Sequence, residues 1–201
     1  MNDMRRRQAG ILGLQTCKRS LRRAALVVAA SLPIAAQAQF PDCWPAEWTS
    51  AVNGAYISTE IAYGGDYVNM LRARSPHWGP WEEYEFCYRG PDNLYYIRAL
   101  VNRGYVSAEI GYPGEDNGML RARATDVGPW ELFRIDWRDG RGVVALQSNA
   151  NGRYVSAEYG FTGDRGAMLR ARATEVGPWE LFNLRFLSSH ARGAPKRIPQ
   201  R

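Results

Sequence analysis

The chain has 201 residues, with 26 Lys and Arg against 20 Asp and Glu, a formal net charge of +6. The excess is confined to the ends. Seven basic residues and one acid precede residue 39, which leaves 19 of each sign in the remainder. A phosphate-binding body needs a basic face, and this one offers none by count, so a nucleic-acid partner is not expected.

In chain order, the first 38 residues read as a cleavable signal peptide. Arg5, Arg6, Arg7, Lys18, Arg19, Arg22 and Arg23 form a basic segment, residues 24–36 a short apolar run, and Ala36-Gln37-Ala38 a small-x-small cleavage site. Roughly 20 apolar residues are needed to span a bilayer, and this run is shorter, so no membrane anchor is expected after cleavage. The destination is the periplasm or the exterior, by the general or the twin-arginine route. Cys17 leaves with the leader. Cys43 and Cys87 remain, an even pair in an exported chain, and a disulfide between them is expected. Cys87 aligns with Asp136 and Arg185 of the later repeats, a solvent-facing strand position.

From residue 39 to 189 one unit is written three times. Tyr56-Ile-Ser-Thr-Glu60, Met70-Leu-Arg-Ala-Arg74 and Gly79-Pro-Trp-Glu82 return 49 residues later as Tyr105–Glu109, Met119–Arg123 and Gly128–Glu131. They return again as Tyr154–Glu158, Met168–Arg172 and Gly177–Glu180. A fixed period in three copies is a statement about architecture. Each copy predicts four short strands: two that alternate apolar and polar residues, a third from the Trp of Gly-Pro-Trp-Glu (Trp81–Tyr88, Trp130–Trp137), and a fourth (Tyr95–Leu100, Val143–Ser148). The third copy lacks a fourth strand, and the segment from Trp48 supplies it. The expectation is an all-β fold, a β-trefoil of three repeats closed by the N-terminal strand, which leaves no exposed sheet edge. The segment 190–201 is a basic tail outside the domain. The chain reads as a monomer.

With those words in hand, Asn151-Gly-Arg-Tyr-Val-Ser-Ala-Glu158, Leu169-Arg-Ala-Arg172 and Gly177-Pro-Trp-Glu-Leu-Phe182 resemble the fascin-like β-trefoil modules of bacterial secreted proteins. The likeness covers residues 46–187. It implies a non-catalytic binding module, with carbohydrate as the expected ligand. The eukaryotic members bundle actin through several tandem trefoils, whereas this chain carries one.

The sequence departs from the bacterial modules in the loop between the first two strands of each repeat, which is longer and chemically loaded. Each loop aligns an aromatic (Tyr63, Tyr112, Phe161), a glycine (Gly65, Gly114, Gly163) and a carboxylate (Asp66, Glu115, Asp164). An aromatic ring suits the C–H face of a sugar and a carboxylate its hydroxyls. Three equivalent weak sites gain by multivalency on a polymer. The competing structural reading has the ring anchor its own loop and the acid cap a glycine turn. Calcium would need six or more oxygens, and only Glu115, Asp116 and Asn117 approach that density, so no metal and no cofactor is expected.

Two further sets complete the inventory. Trp81, Trp130 and Trp179 are read as core, with Leu132 and Leu181 following on the same face. Arg72/Arg74, Arg121/Arg123 and Arg170/Arg172 alternate with alanines and are expected to face solvent, paired with Glu60, Glu109 and Glu158 or with Glu82, Glu131 and Glu180. Trp78 stands where the later repeats have Val127 and Val176, and is a candidate exposed stacking residue. His77 and His190, the only histidines, form no nucleophilic or metal-binding spacing, and threefold-repeated carboxylates do not offer an acid and a base in different environments. The chain is therefore read as not an enzyme. The alternative function is a protein-binding trefoil, either a hydrolase inhibitor or an actin binder.

Overall fold

The computed structural model describes residues 43–90 and 92–187, and the leader and the basic tail lie outside them. Twelve strands form one sheet. They are β1 (Cys43–Ser50), β2 (Tyr56–Glu60), β3 (Met70–Ser75), β4 (Tyr84–Tyr88), β5 (Leu94–Ala99) and β6 (Tyr105–Glu109). The others are β7 (Met119–Ala124), β8 (Leu132–Trp137), β9 (Val143–Ser148), β10 (Tyr154–Ala157), β11 (Leu169–Ala173) and β12 (Phe182–Phe186). No helix among the described residues is long and apolar enough to cross a membrane.

Six of these strands close a ring: β1 pairs with β4, β4 with β5, β5 with β8, β8 with β9, β9 with β12, and β12 with β1. The closing pair sets Trp48 against Leu184, so the N-terminal strand completes the third repeat as the sequence requires. The other six form three hairpins, β2–β3, β6–β7 and β10–β11, each with a bulge at its first residue pair. The hairpins meet one another at Met70↔Arg121, Met119↔Arg170 and Arg72↔Met168. A six-stranded ring capped by a triplet of hairpins is the β-trefoil arrangement.

Strand alternation fills the interior. Trp48 packs edge-on against Tyr84, Phe86 and Phe182 at 5.5, 5.6 and 5.7 Å, the geometry preferred by aromatic quadrupoles. Met70, Met119 and Met168 form a separate apolar plug under the cap. Two neighbouring core positions of the first repeat carry hydroxyls that its siblings lack: Tyr84 stands where the others have Phe133 and Phe182, and Thr59 where the others have Ala108 and Ala157. The two hydroxyls meet at 2.8 Å, satisfying a phenol that is otherwise wholly buried. Burial drives the Tyr84 phenol well above its ordinary value, against a smaller opposing effect of the Thr59 bond.

Three expectations are corrected. Trp81, Trp130 and Trp179 lie outside the core and outside the strands, on short 3-10 turns at Pro80–Glu82, Pro129–Glu131 and Pro178–Glu180. The core register is consequently shifted by one: Phe133 and Phe182 are buried, while Leu132 and Leu181 are half-buried. Cys87 is buried, because the β1–β4 ladder places Cys43 directly across from it, and the two are joined as a disulfide. Arg72, Arg121 and Arg170 are buried rather than solvent-facing, since the hairpins converge over them.

Candidate functional site

The loop set converges on the cap. Each loop begins with its aromatic and then enters a 3-10 turn at Gly65–Tyr67, Gly114–Asp116 or Gly163–Arg165. The glycine that opens each turn has a φ of 60, 61 or 63°, the left-handed region that penalises a Cβ. The aligned loop glycines are thus explained by backbone geometry. The acids Asp66, Glu115 and Asp164 sit in the first turn, and none of the turns has a side-chain cap bond.

Buried arginines hold these loops in place. Arg72 donates to the Tyr63 hydroxyl at 2.6 Å within its own repeat. It also donates to Gly166 O at 2.7 Å and Gly163 O at 3.2 Å in the third repeat. Arg121 does the same with Tyr112 at 2.9 Å and Val68 O at 3.0 Å. Arg170 donates to Asn117 O at 3.0 Å, and its guanidinium lies 5.7 Å from the Phe161 ring centroid, a cation–π contact in place of the missing hydroxyl. Each arginine clamps its own aromatic and a neighbour's loop, so the three repeats interlock in a cycle. The rings of Tyr63, Tyr112 and Phe161 are half-buried and occupied by this task.

The carboxylates of the loops remain exposed, with internal partners for two of them. Tyr112 donates to Asp66 at 3.2 Å, and Arg165 donates to Glu115 at 2.6 Å. Asp164 is exposed, and no hydrogen bond or ion pair engages it among the described residues. The one grouping of three potential metal ligands among the described residues is Cys43, Glu85 and Cys87, whose sulfurs are already joined to each other.

The exposed aromatic surface lies elsewhere. Trp81, Trp130 and Trp179 are 39, 42 and 37% exposed, and Trp78 is 46% exposed. Among the described residues these four, with Val52, are the large apolar side chains presented to solvent. All three corners that carry them close with a backbone bond from the glutamate to the glycine, Glu82 N–H to Gly79 O at 3.0 Å in the first, and the second and third add a carboxylate bond. Pro occupies the first position of the turn, where a missing N–H costs nothing. The Glu131 carboxylate accepts the Gly128 N–H at 2.7 Å, and the Glu131 N–H donates back to Gly128 O at 3.2 Å, a capping box. Glu180 and Gly177 repeat the reciprocal pair at 2.8 and 3.2 Å. Proline and glutamate fix the turn, and the residue between them points out.

Each corner rests on the first strand of its own hairpin. A Cβ on Gly111 would stand 3.7 Å from Trp130 Cη2, and one on Gly160 3.6 Å from Trp179 Cη2. Two residues upstream of those glycines are Glu109 and Glu158. Glu109 is buried and accepts two bonds from the half-exposed Arg123, at 2.6 and 2.8 Å. Glu60 binds Arg74 in the same forked manner, at 2.5 and 2.6 Å, and Glu158 binds Arg172. These carboxylate bonds raise all three guanidinium pKa values above the ordinary one. In each fork Nε and Nη2 are used, and Nη1 has no protein partner among the described residues. An exposed indole and an immobilised guanidinium with spare donors therefore recur three times on the surface.

Sequence reasoning places these tryptophans in the core rather than at a binding surface. The available signal was Gly-Pro-x-Glu, a turn-starting proline with a glutamate three residues after the glycine, which marks a capped turn rather than a strand. A depression of about 250 Å³ lined by Glu47, Thr49, Arg141, Gly142, Asn183, Leu184 and Arg185 contains none of the candidate residues.

Neither a protein-family model nor a curated protein sequence matches the chain. Solved structures do. The designed threefold-symmetric protein ThreeFoil is similar at a TM-score of 0.58 and 16% identity, covering 70% of this chain and 96% of that one. The Polyporus squamosus lectin bound to a Neu5Ac-Gal-GlcNAc epitope is similar at 0.55 and 14%, covering 74% of this chain and 50% of the lectin. The exo-β-1,3-galactanase 1,3Gal43A of Clostridium thermocellum is similar at 0.60 and 13%, covering 74% of this chain but 31% of the galactanase. At these identities the likeness establishes the architecture, and the chain has the β-trefoil fold.

Proposed function

We propose that this chain is a secreted, non-catalytic carbohydrate-binding module, lectin-like and multivalent, of the kind its fascin-like repeats suggest. The observation that carries the reading is the threefold display of Trp81, Trp130 and Trp179 on proline-started turns, in repeats that each also present a guanidinium fixed by a buried glutamate. A pyranose presents an apolar C–H face that stacks on an indole, and hydroxyls that accept from a guanidinium. Holding both groups in advance removes the ordering cost of binding. Trp78 extends the aromatic surface of the first repeat. The cap loops contribute a second, polar face through Asp66, Glu115 and Asp164, with Tyr63, Tyr112 and Phe161 as their anchors.

Two features support a binding role over catalysis. The buried acids Glu60, Glu109 and Glu158 are each neutralised by an arginine in matched surroundings. The galactanase is a chain of which this one spans less than a third. The disulfide is consistent with export. Among the solved structures of the same fold is a lectin bound to a saccharide.

The test is retention of the mature, oxidised protein on a panel of insoluble polysaccharides, run beside filamentous actin and with reducing-sugar release measured in parallel. The reading predicts retention on a glycan, elution by the matching soluble oligosaccharide, and no sugar release. Attachment to actin alone would transfer the function to the protein-binding class. Release of reducing sugar would make the chain an enzyme.

A further inference from the structure

The three corners are not equal. In the first repeat the corner is preceded by Ser75-Pro76-His77-Trp78, where the later repeats have Ala-Thr-Asp-Val and Ala-Thr-Glu-Val. The consequence in space is a second indole: Trp78 is 46% exposed, whereas Val127 and Val176 are half-buried. The segment that carries it is held. Ser75 Oγ donates to His77 O at 2.7 Å, and Pro76 and Pro80 restrict the backbone on either side of the Trp78-Gly79 step. The same segment leaves β3 directly after Arg74, the guanidinium forked onto Glu60. In the sequence, Ala62 takes the place of Gly111 and Gly160, the glycines that lie under the other two indoles.

Two tryptophans stand exposed three residues apart on one stretch that holds Pro76 and Pro80. Neither fills the core, and a Val at the first position serves the other two repeats. Resting on the glycan-binding reading above, we propose that Trp78 and Trp81 form a tandem aromatic ledge that takes two consecutive pyranose units of an extended neutral polysaccharide, which makes the first repeat the dominant site. Both indoles are exposed and neither lines the depression at Glu47 and Arg185, so they suit stacking along a chain rather than capture of a single terminal sugar. The charged groups of the ledge are the fixed Arg74–Glu60 pair and the buried Glu82, so it carries no surplus positive charge to hold an acidic polymer. The later corners, with one indole each, engage one unit and act by avidity.

The experiment isolates the corner. In a Trp130→Ala, Trp179→Ala background, Trp78→Val installs the residue the sibling repeats already fold with. Titration with cello-, xylo- and chito-oligosaccharides of increasing length, read by tryptophan fluorescence and calorimetry, compares the two proteins. The ledge predicts that affinity rises between the mono- and disaccharide of the preferred series, and that Trp78→Val removes this rise and lowers disaccharide affinity about tenfold. Equal affinities for the two proteins, with binding otherwise intact, would overturn the ledge while leaving the glycan reading standing. No binding of any oligosaccharide or insoluble polysaccharide by the wild-type protein would remove both. Tighter binding of polyuronate than of neutral oligomers would overturn the assigned ligand class.

Discussion

Tyr84 and Thr59 are two residues by which the core of the first repeat departs from its siblings. A buried phenol needs a partner, and the threonine hydroxyl at 2.8 Å supplies it where the other repeats need only an alanine beside a phenylalanine. Thr59→Ala is expected to destabilise the protein by about 1–3 kcal/mol, the cost of leaving the phenol unpaired. The double variant Thr59→Ala, Tyr84→Phe recreates the core of the later repeats and is expected to recover most of that loss, because replacing both partners by apolar groups is nearly neutral. Urea midpoints for the four proteins of the cycle check this. The sequence offered both substitutions for inspection, but only register and burial make them a pair.

At the scale of the element, the informative unit is the Gly-Pro-Trp-Glu corner. In the second and third repeats its glutamate is buried and accepts the glycine N–H, and its tryptophan is exposed. The cap and the exposed ring are therefore carried by adjacent residues. Glu131→Ala is expected to cost about 1 kcal/mol as a lost cap. Trp130→Ala is expected to cost about 1–3 kcal/mol, because more than half of the indole is buried over Gly111. Denaturation curves for the two variants check both values. This element also marks where reading the sequence failed. Tyr-Val-Ser-Ala-Glu and Leu-Arg-Ala-Arg were legible as strands because period-two alternation is local. The forked pairs of Arg74, Arg123 and Arg172 with Glu60, Glu109 and Glu158 lay among the alternatives. Trp81 was assigned to the core because large aromatics are usually buried, and the capped turn that ejects it was overlooked. Arg72, Arg121 and Arg170 share an alternation with Arg74, Arg123 and Arg172. Their burial arises from the convergence of three hairpins, which no single repeat encodes. For the same reason Tyr63 and Tyr112 could not be known in advance to spend their hydroxyls on those arginines.

Over the whole molecule, the 49-residue spacing and the orphan N-terminal segment were enough to anticipate a closed ring, and β1 between β4 and β12 closes it. The closure is fastened covalently at Cys43–Cys87, 44 residues apart in sequence. Reduction is expected to lower stability by up to about 4 kcal/mol, the chain-entropy estimate for a loop of that size, read as a shift in the urea midpoint with reductant present. On the proposed carbohydrate-binding function, threefold repetition carries an expectation of avidity. Three corners on one rigid body can engage one polymer together, so loss of a single corner is expected to weaken attachment without abolishing it.

That gradation is the most direct test of the account. Binding isotherms on the retained polysaccharide are to be measured for the wild-type protein and for variants with one, two or all three of Trp81, Trp130 and Trp179 changed to alanine, each shown to be folded by a cooperative denaturation curve. The account predicts a stepwise fall in affinity, with binding abolished in the triple variant. Full retention by a folded triple variant would contradict it and return the binding function to the cap loops or to a protein partner.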